Sequence, residues 1–141
     1  LWRGDMATGL RAKKPSLHVL RGIEIYKNRP IFYGLGEFIR QRDIGRLAGR
    51  GDPTRDECPG CPFPAKYESI VAVSEFSGDR LVEVRLYPVE LRYDSERLAH
   101  RGIPETASPE TDRRILERLR ELSAPLGTTI VIEDGVGVIR R

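Results

Sequence analysis

The strongest constraint on the fold of this chain is a pair of apolar segments separated by a short turn in the middle of the sequence. β-branched and aromatic residues recur in residues 67–76 and in 81–89, on either side of 77–80 (Ser-Gly-Asp-Arg). Such residues favour strands, and the Ser-Gly-Asp sequence favours a chain reversal. Apolar and charged residues in 81–89 also leave one face for the core and one for water. The pattern predicts an antiparallel hairpin.

Two more hairpins are predicted, one towards each end of the chain. The first has its turn at residues 27–30 (Lys-Asn-Arg-Pro), between apolar positions in 23–25 and 31–35. The last has its turn at 133–135 (Glu-Asp-Gly), inside the apolar segment 128–139. The hairpins share a form, but no sequence repeat relates them.

One amphipathic helix is predicted between the second and third hairpins. Ser108 suits the N-cap position, Pro109 the first helical position and Glu110 the first turn. Pro125 and Gly127 are expected to end the helix. Its apolar stripe is predicted to consist of Ile115, Leu116, Leu119 and Leu122.

Three hairpins and one helix predict an α+β fold of antiparallel strands, not an alternating βαβ fold. The length of 141 residues is enough for one domain. Residues 1–16 have no periodic pattern and are expected to be poorly ordered, which leaves 17–141 for the domain. Residues 41–64, rich in Gly, Pro, Asp and Arg, are predicted to form a loop or insert, and 92–106 to be irregular.

Charge and hydropathy exclude some classes of protein. The net charge of +3 comes from basic residues scattered among acids, so nucleic acid is not an expected partner. No apolar run is long enough for a transmembrane segment, and residues 1–5 lack the apolar core of a signal peptide. The chain begins with leucine and its one methionine is Met6, which is typical of a partial reading frame, with a genuine short protein as the alternative.

Few residues suggest chemistry. His18 is a candidate metal ligand, whereas His100 lies in a polar stretch, and scattered histidines are more often surface or structural residues. Cys58 and Cys61 form one C-x-x-C, which raises zinc and redox interpretations, but no second pair supplies zinc ligands. A pair of loop thiols or a local disulfide is favoured. Four glutamates alternate with apolar residues and are interpreted as solvent-facing strand positions: Glu24, Glu75, Glu83 and Glu90.

Residues 18–26 (His-Val-Leu-Arg-Gly-Ile-Glu-Ile-Tyr) and 29–38 (Arg-Pro-Ile-Phe-Tyr-Gly-Leu-Gly-Glu-Phe) closely resemble a signature of the CapA-type family. This family is named for bacterial capsule and poly-γ-glutamate synthesis proteins. The likeness covers roughly residues 17–139, and the ordered succession of segments makes it more specific than one motif. Further similarity appears in residues 67–73, 82–91, 101–104 and 122–128.

The resemblance implies a metallophosphatase-like (calcineurin-like) sandwich, of which this chain resembles the C-terminal part. In that fold, metal ligands lie on loops at strand ends. Aligning the last histidine of the family's Gly-His-x-x-His pattern with His18 puts Lys14 at the glycine and Pro15 at the first histidine. Half of the metal motif is therefore missing.

A second departure from the family lies just after the first hairpin. The family's Ser-Leu-Gly-Asn-Phe corresponds to residues 34–38 (Gly-Leu-Gly-Glu-Phe), so Glu37 replaces an asparagine with a longer, charged group that only accepts hydrogen bonds. Gly34 and Gly36 are interpreted as permitting a tight bend beside the site at the strand end. They are too few, and too far from any helix start, to form a phosphate-binding loop.

The resemblance implies a divalent metal in the parent family, but one histidine cannot hold a catalytic ion. This chain is therefore expected to be inactive by itself and to need the N-terminal part of the same domain as its partner. A place at the cell envelope or in the cytoplasm is implied by resemblance alone. The alternative is a non-catalytic β-rich binding module that presents strand edges to a partner.

Overall fold

The computed structural model describes residues 19–40, 65–92 and 95–141. Three short 3₁₀ turns lie in these ranges, at Ala65–Tyr67, Leu98–His100 and Ala124–Leu126. The expectations for residues 1–16 and for a loop or insert at 41–64 fall outside the described residues. The strands and the helix are β1 (Ile23–Tyr26), β2 (Arg29–Phe32), β3 (Glu68–Ser77), β4 (Arg80–Glu90), β5 (Glu105–Thr106), α1 (Pro109–Ser123), β6 (Val131–Glu133) and β7 (Val136–Arg140).

The described strands form two antiparallel sheets. β1 and β2 make a two-stranded sheet, whereas the larger sheet has the order β3-β4-β7-β6, with β5 also paired to β4. The predicted α+β class, with three antiparallel hairpins and one helix, is confirmed. The expectation that residues 92–106 are irregular is wrong at one place, because Glu105 and Thr106 pair with Glu90 and Val89 of β4.

The central hairpin has a bulge that sets which residues of β4 face the core. The register slips by one residue between Glu75 and Phe76, whose partners are Glu83 and Leu81. A bulge places two residues of one strand opposite one of the other and so reverses the alternation of side chains. As a result Leu81 and Val84, three residues apart, are both fully buried.

The first and last hairpins have two-residue turns with the same backbone conformation. Lys27 and Asn28 have φ of 45° and 66°, and Asp134 and Gly135 have 49° and 77°. Positive φ at both central residues defines a type I′ turn, whose twist matches that of the flanking strands, and Asn, Asp and Gly tolerate it best. Each predicted turn is thus present but one or two residues shorter than expected.

The first turn ends before Arg29 and Pro30, which belong to β2 and not to the predicted turn at 27–30. Pro30 lies opposite Ile25, one pair away from the turn-closing pair of Tyr26 and Arg29. Pairs in an antiparallel ladder alternate between hydrogen-bonded and non-hydrogen-bonded, so Pro30 occupies a position where no N–H is needed between the strands.

Helix α1 begins where it was predicted to begin, but the residue that it buries in its last turn is not the predicted one. The Oγ of Ser108 accepts a hydrogen bond from the backbone N–H of Thr111 at 3.3 Å. The expected position of Leu122 is wrong, since that side chain is 37% exposed and Ser123 is fully buried instead. Positions 111, 115, 119 and 123 recur every four residues and share one helix face. The Oγ of Ser123 accepts a hydrogen bond from the N–H of Ile23 at 3.0 Å.

The core lies between α1 and one face of the larger sheet, and the β1–β2 hairpin closes its side. Ile25 and Phe32 of the hairpin pack against this core while remaining partly exposed. No helix among the described residues has the length and apolar character that a bilayer crossing requires. The buried core residues are Leu20, Ile23, Ile70, Leu81, Val84, Leu86, Ala107, Ile115, Leu116, Leu119, Ile130 and Ile139.

Candidate functional site

The strand-end loop, residues 33–40, follows β2 and carries the candidate residues Gly34, Gly36 and Glu37. Its first residues pair antiparallel with residues 20–22, the segment that precedes β1. The N–H of Arg21 donates to the carbonyl of Gly34 at 2.9 Å, and Leu20 and Leu35 form an isolated antiparallel bridge. The two segments that carry the family resemblance therefore meet directly beyond the end of the first hairpin.

Gly34 is required by the closeness of this approach. A Cβ on Gly34 would lie 2.8 Å from the carbonyl oxygen of Val19 and 2.9 Å from the Cγ of Arg21. Val19 is the residue that follows His18 in the sequence. His18 itself lies outside the described residues, as do Lys14 and Pro15.

Gly36 fastens the same loop to the start of β3. Its φ is +84°, and a Cβ at this position would lie 2.6 Å from the carbonyl oxygen of Glu68. The carbonyl of Leu35 accepts hydrogen bonds from the N–H of Ile70 at 3.2 Å and from the Oγ of Ser69 at 2.8 Å. Both the conformation and the space at Gly36 therefore exclude a larger residue.

Glu37 is held in an ion pair. Its Oε2 lies 2.6 Å from Nη1 of Arg40, whose side chain is 3% exposed. The Arg40 guanidinium also lies over the ring of Tyr67, 5.7 Å from the centroid, and its backbone N–H donates to the carbonyl of Gly102 at 2.8 Å. A buried arginine needs a counter-charge, and Glu37 supplies one. The Glu37 carboxylate is thus engaged in holding the loop.

A second carboxylate at the same end of β3 was not predicted from the sequence. Glu68 has a side chain only 5% exposed, with Oε1 2.8 Å from Nε of Arg114 and Oε2 3.3 Å from Nη1 of Arg118. The two arginines lie one turn apart on α1, so the pair joins the helix to the sheet beside the strand-end loop. The sequence shows only that a glutamate begins an apolar strand, and such a glutamate is equally typical of a strand end that is exposed to water.

A separate polar feature lies between the start of α1 and the β6–β7 turn. A cavity of about 430 Å³ there is lined by Pro109, Asp112, Arg113, Leu116, Ile132, Asp134 and Gly135. Oδ1 of Asp112 is buried and has no hydrogen-bond partner among the described residues. Burial, and secondarily the charge of Glu90, raises the pKa of Asp112 above its usual range. This carboxyl is therefore destabilised in its ionised form.

The strand glutamates are only partly where the sequence placed them. Glu75 is exposed, but Glu24, Glu83 and Glu90 are half-buried. Glu24 accepts a hydrogen bond from the hydroxyl of Tyr33 at 2.6 Å, which raises the pKa of that hydroxyl. Glu83 pairs with arginines of β4 and β7. These partners indicate structural roles.

The described residues bring together parts of the predicted site but no donor set for a metal. No group of three His, Cys, Asp or Glu side chains within residues 19–40, 65–92 and 95–141 has metal-binding geometry. His100 lies at the end of a 3₁₀ turn with an exposed side chain. Cys58 and Cys61 lie outside the described residues, so the choice between loop thiols, a disulfide and a zinc site stays open.

Comparison with known proteins gives relatives without a stated activity. No family model matches the chain. Uncharacterized protein y4sH and Uncharacterized protein y4uA of Sinorhizobium fredii (strain NBRC 101917 / NGR234) are each 46% identical to it over 149 residues. The match covers 87% of this chain but 32% of each relative. This chain is similar to one part of each protein and spans about a third of the length of the curated relatives that it matches.

Proposed function

We propose that this chain is the C-terminal part of a CapA-type protein of bacterial capsule or poly-γ-glutamate synthesis, built on a metallophosphatase-like domain. In this proposal His18 supplies one ligand to a divalent metal. The other ligands come from the part of the longer protein that lies outside this chain. The chain alone neither holds a catalytic metal nor hydrolyses phosphate esters.

The observation that carries the proposal is the meeting of two resemblance segments at one strand end. The Arg21–Gly34 hydrogen bond of 2.9 Å closes this junction, and Val19 lies against Gly34. Both segments are arms of the β1–β2 hairpin, so their pairing brings the residue after His18 next to the family-like Gly-Leu-Gly bend. This proximity supports the proposal, because the resemblance implies metal ligands on loops at strand ends.

The chemistry of the described side chains supports the way in which this proposal divides the metal ligands. A metal-assisted hydrolase holds its ion with several oxygen or nitrogen ligands and leaves one position open for water. Glu37, the nearest carboxylate in the loop, already neutralises the buried guanidinium of Arg40. Taking it for a metal would leave that arginine without this charge. We therefore assign Glu37 to holding the loop and the ligands to His18 and the rest of the longer protein.

The lengths of the relatives support the division of the site between two parts. About two-thirds of each relative lies outside the matched segment, because the match covers 32% of it. That remainder is long enough to contain the other half of a two-sheet domain. The calcineurin-like sandwich is then completed only in the longer protein, with the two sheets described above as one portion of it.

The test compares the isolated chain with a chimera in which this chain replaces the matching third of y4sH. Metal content is measured by mass spectrometry, and hydrolysis is measured with a chromogenic phosphate ester. We expect the chimera to retain a divalent metal, His18→Ala to lose it, and the isolated chain to contain none, because one imidazole does not hold an ion.

His100→Ala is the matched control, since it removes the chain's other histidine from an exposed position. This variant should keep the metal content and activity of the chimera. Hydrolysis by the isolated chain, or a His18→Ala chimera with unchanged metal content, would contradict the proposal.

A non-catalytic binding module is the second candidate, and one observation favours it. Val71, Val73 and Tyr87 are exposed on the side of the larger sheet that faces away from α1. Apolar surface of this kind is typical of an interaction site. A chimera that contains no metal, together with an isolated chain that binds a protein segment through this surface, would favour the module over the enzyme part.

A further inference from the structure

We infer that the outer face of the larger sheet, the face away from α1, is where the remaining part of the longer protein packs, through an apolar patch formed by Val71, Val73 and Tyr87. The inference rests on the proposed function, because it takes this chain to be one part of a larger domain. The occupant is an apolar β-sheet face of the same polypeptide.

The patch is defined by strand pairing and exposure. Val71 of β3 lies directly opposite Tyr87 of β4, and Val73 is two residues further along the same face. Their side chains are 40%, 38% and 51% exposed, respectively, whereas the neighbours that point to α1, Ile70 and Leu86, are 3% and 0% exposed. Cross-strand side chains on one face of a sheet contact one another, so the three residues form a continuous surface.

The centre of β3 has the sequence of a strand that is covered on both faces. Residues 70–73 read Ile-Val-Ala-Val without a polar residue at the outward positions. An antiparallel strand with one wet face alternates apolar and polar residues, and a continuous apolar run indicates burial on both sides. Among residues 19–40, 65–92 and 95–141, α1 covers only one of the two faces. The run therefore predicts a second layer over the outer face.

The first hairpin lies alongside β3 and leaves the patch open. The guanidinium of Arg29 lies 5.2 Å from the centroid of the Phe76 ring, and the carbonyl of Leu35 accepts a hydrogen bond from the N–H of Ile70 at 3.2 Å. Val71 and Val73 nevertheless stay 40% and 51% exposed.

The other half of the outer face is a charged region whose charges are already paired. Glu83 contacts Arg85 at 2.5 Å and Arg140 at 3.2 Å, and Arg140 contacts Glu133 at 2.6 Å. Beneath these side chains Val138 is only 5% exposed. Arg85, opposite Val73, and Glu75, two positions after Val73 on the same face of β3, bound the apolar patch. Over the patch itself, the partner therefore has to offer apolar groups.

Two partners could cover the patch: the remaining part of the longer protein, or a second copy of this chain. The covalent connection favours the first. Two-thirds of each relative lies outside the matched segment and is tethered to it. Tethering raises the effective concentration of a partner to about the millimolar range, which a free second copy rarely reaches. An exposed valine-rich sheet face is thus covered first by the rest of its own polypeptide.

The test measures binding between the purified 141-residue chain and the part of y4sH that flanks the matched third, by isothermal titration calorimetry. Val71→Glu/Val73→Glu should weaken binding at least tenfold, because each charge would be buried against apolar groups. Val71→Thr/Val73→Thr keeps the shape and strand preference of valine and should weaken binding by a smaller factor. Val131→Glu is the matched control, because Val131 is 46% exposed but lies on β6 at the far edge of the sheet.

Circular dichroism shows whether each variant keeps its fold before binding is compared. Failure of the wild-type chain to bind, or equal binding by the wild type and both double variants, would overturn the assignment. So would self-association of the wild type that the same substitutions abolish, since it would assign the patch to a second copy. A chimera that keeps metal through His18 but tolerates the double substitutions would overturn only this inference and leave the proposed function standing.

Discussion

The inner and outer faces of the larger sheet differ although they are made by alternate residues of the same strands. On the inner face, Ile70, Val84 and Leu86 are 3% exposed or less, and they form one core cluster with the apolar residues of α1. On the outer face, Val71 and Val73 are apolar as well but are 40% and 51% exposed. Apolar character alone therefore does not make a core within this chain. A face becomes core where a second layer covers it.

The charged residues of the two faces show the same contrast. Glu68 on the inner face is 5% exposed at its side chain and joins two arginines of α1. Glu133 on the outer face is 44% exposed and pairs with Arg140, which is 55% exposed; this pairing lowers the pKa of Glu133. A shielded ion pair fixes the position of a helix, whereas an exposed pair is screened by water and salt.

The largest expected effect is the loss of an inner apolar side chain. Leu86→Ala should lower the free energy of unfolding by about 2–5 kcal/mol, because it removes buried contacts and leaves a cavity beneath α1. Val71→Ala, on the neighbouring strand and the outer face, should cost less than about 1 kcal/mol. Urea denaturation of both variants measures the difference. Equal losses would show that the outer face is already packed in the isolated chain.

The next effect concerns the inner ion pair. Glu68→Gln should lower the free energy of unfolding by about 2–3 kcal/mol. This is less than the ~3–5 kcal/mol typical of a broken buried pair, because Arg114 and Arg118 can still reach water. The control is Glu133→Gln on the outer face, which should have a smaller effect on the free energy of unfolding. That effect should shrink further in about 1 M salt, because the Debye length there is only about 3 Å and exposed charges are screened. A loss at Glu133 as large as that at Glu68 would remove the contrast between the faces.

The smallest effect depends on pH and raises stability. The pKa of Asp112 in the folded protein is raised by burial, so the folded state holds its proton more tightly than the unfolded state. Stability therefore falls as pH rises from the ordinary aspartate value, about 3.9, through the raised value. Asp112→Asn should become progressively more stable than the wild type over this window and remain so at neutral pH.

Glu110→Gln is the control for Asp112, because Glu110 lies in the same first helical turn and is exposed. It reports the interaction of a first-turn carboxylate with the helix dipole without the burial. Urea midpoints are measured from pH 3 to pH 7, roughly the range that spans the ordinary aspartate pKa and neutrality. A wild-type chain that gains stability relative to Asp112→Asn across this range would contradict the destabilised carboxyl.

Local features were predictable because their signals lie within a few residues. Asn28 and the Asp134-Gly135 pair have the left-handed conformations that their residue types favour, and Ser108 caps α1 as its position before Pro109 predicted. The bend at Gly36, with φ of +84°, lies where the two glycines indicated. At these places the preference of the sequence and the final conformation agree.

Features that depend on a partner distant in sequence were not predictable. Leu122 was expected in the core in place of Ser123. Nothing in the sequence near the helix end shows that the N–H of Ile23 donates a hydrogen bond to the hydroxyl of Ser123. The burial of Glu68 depends on Arg114 and Arg118, which lie 46 and 50 positions later in the chain. The same holds for Glu37, whose pairing with a buried Arg40 depends on Tyr67 and Gly102 closing around the loop.

The order of residues by itself determined three reversals, one capped helix and the short Gly-Leu-Gly bend, since backbone preferences and side-chain periodicity act over neighbouring positions. Tertiary structure alone decided which sheet face α1 covers, which glutamates are shielded, and that the chain on either side of the first hairpin comes together at Gly34. The physical reason is that desolvation and close packing depend on which distant segments of the chain come into contact. The local preferences of a residue and its neighbours do not specify those contacts.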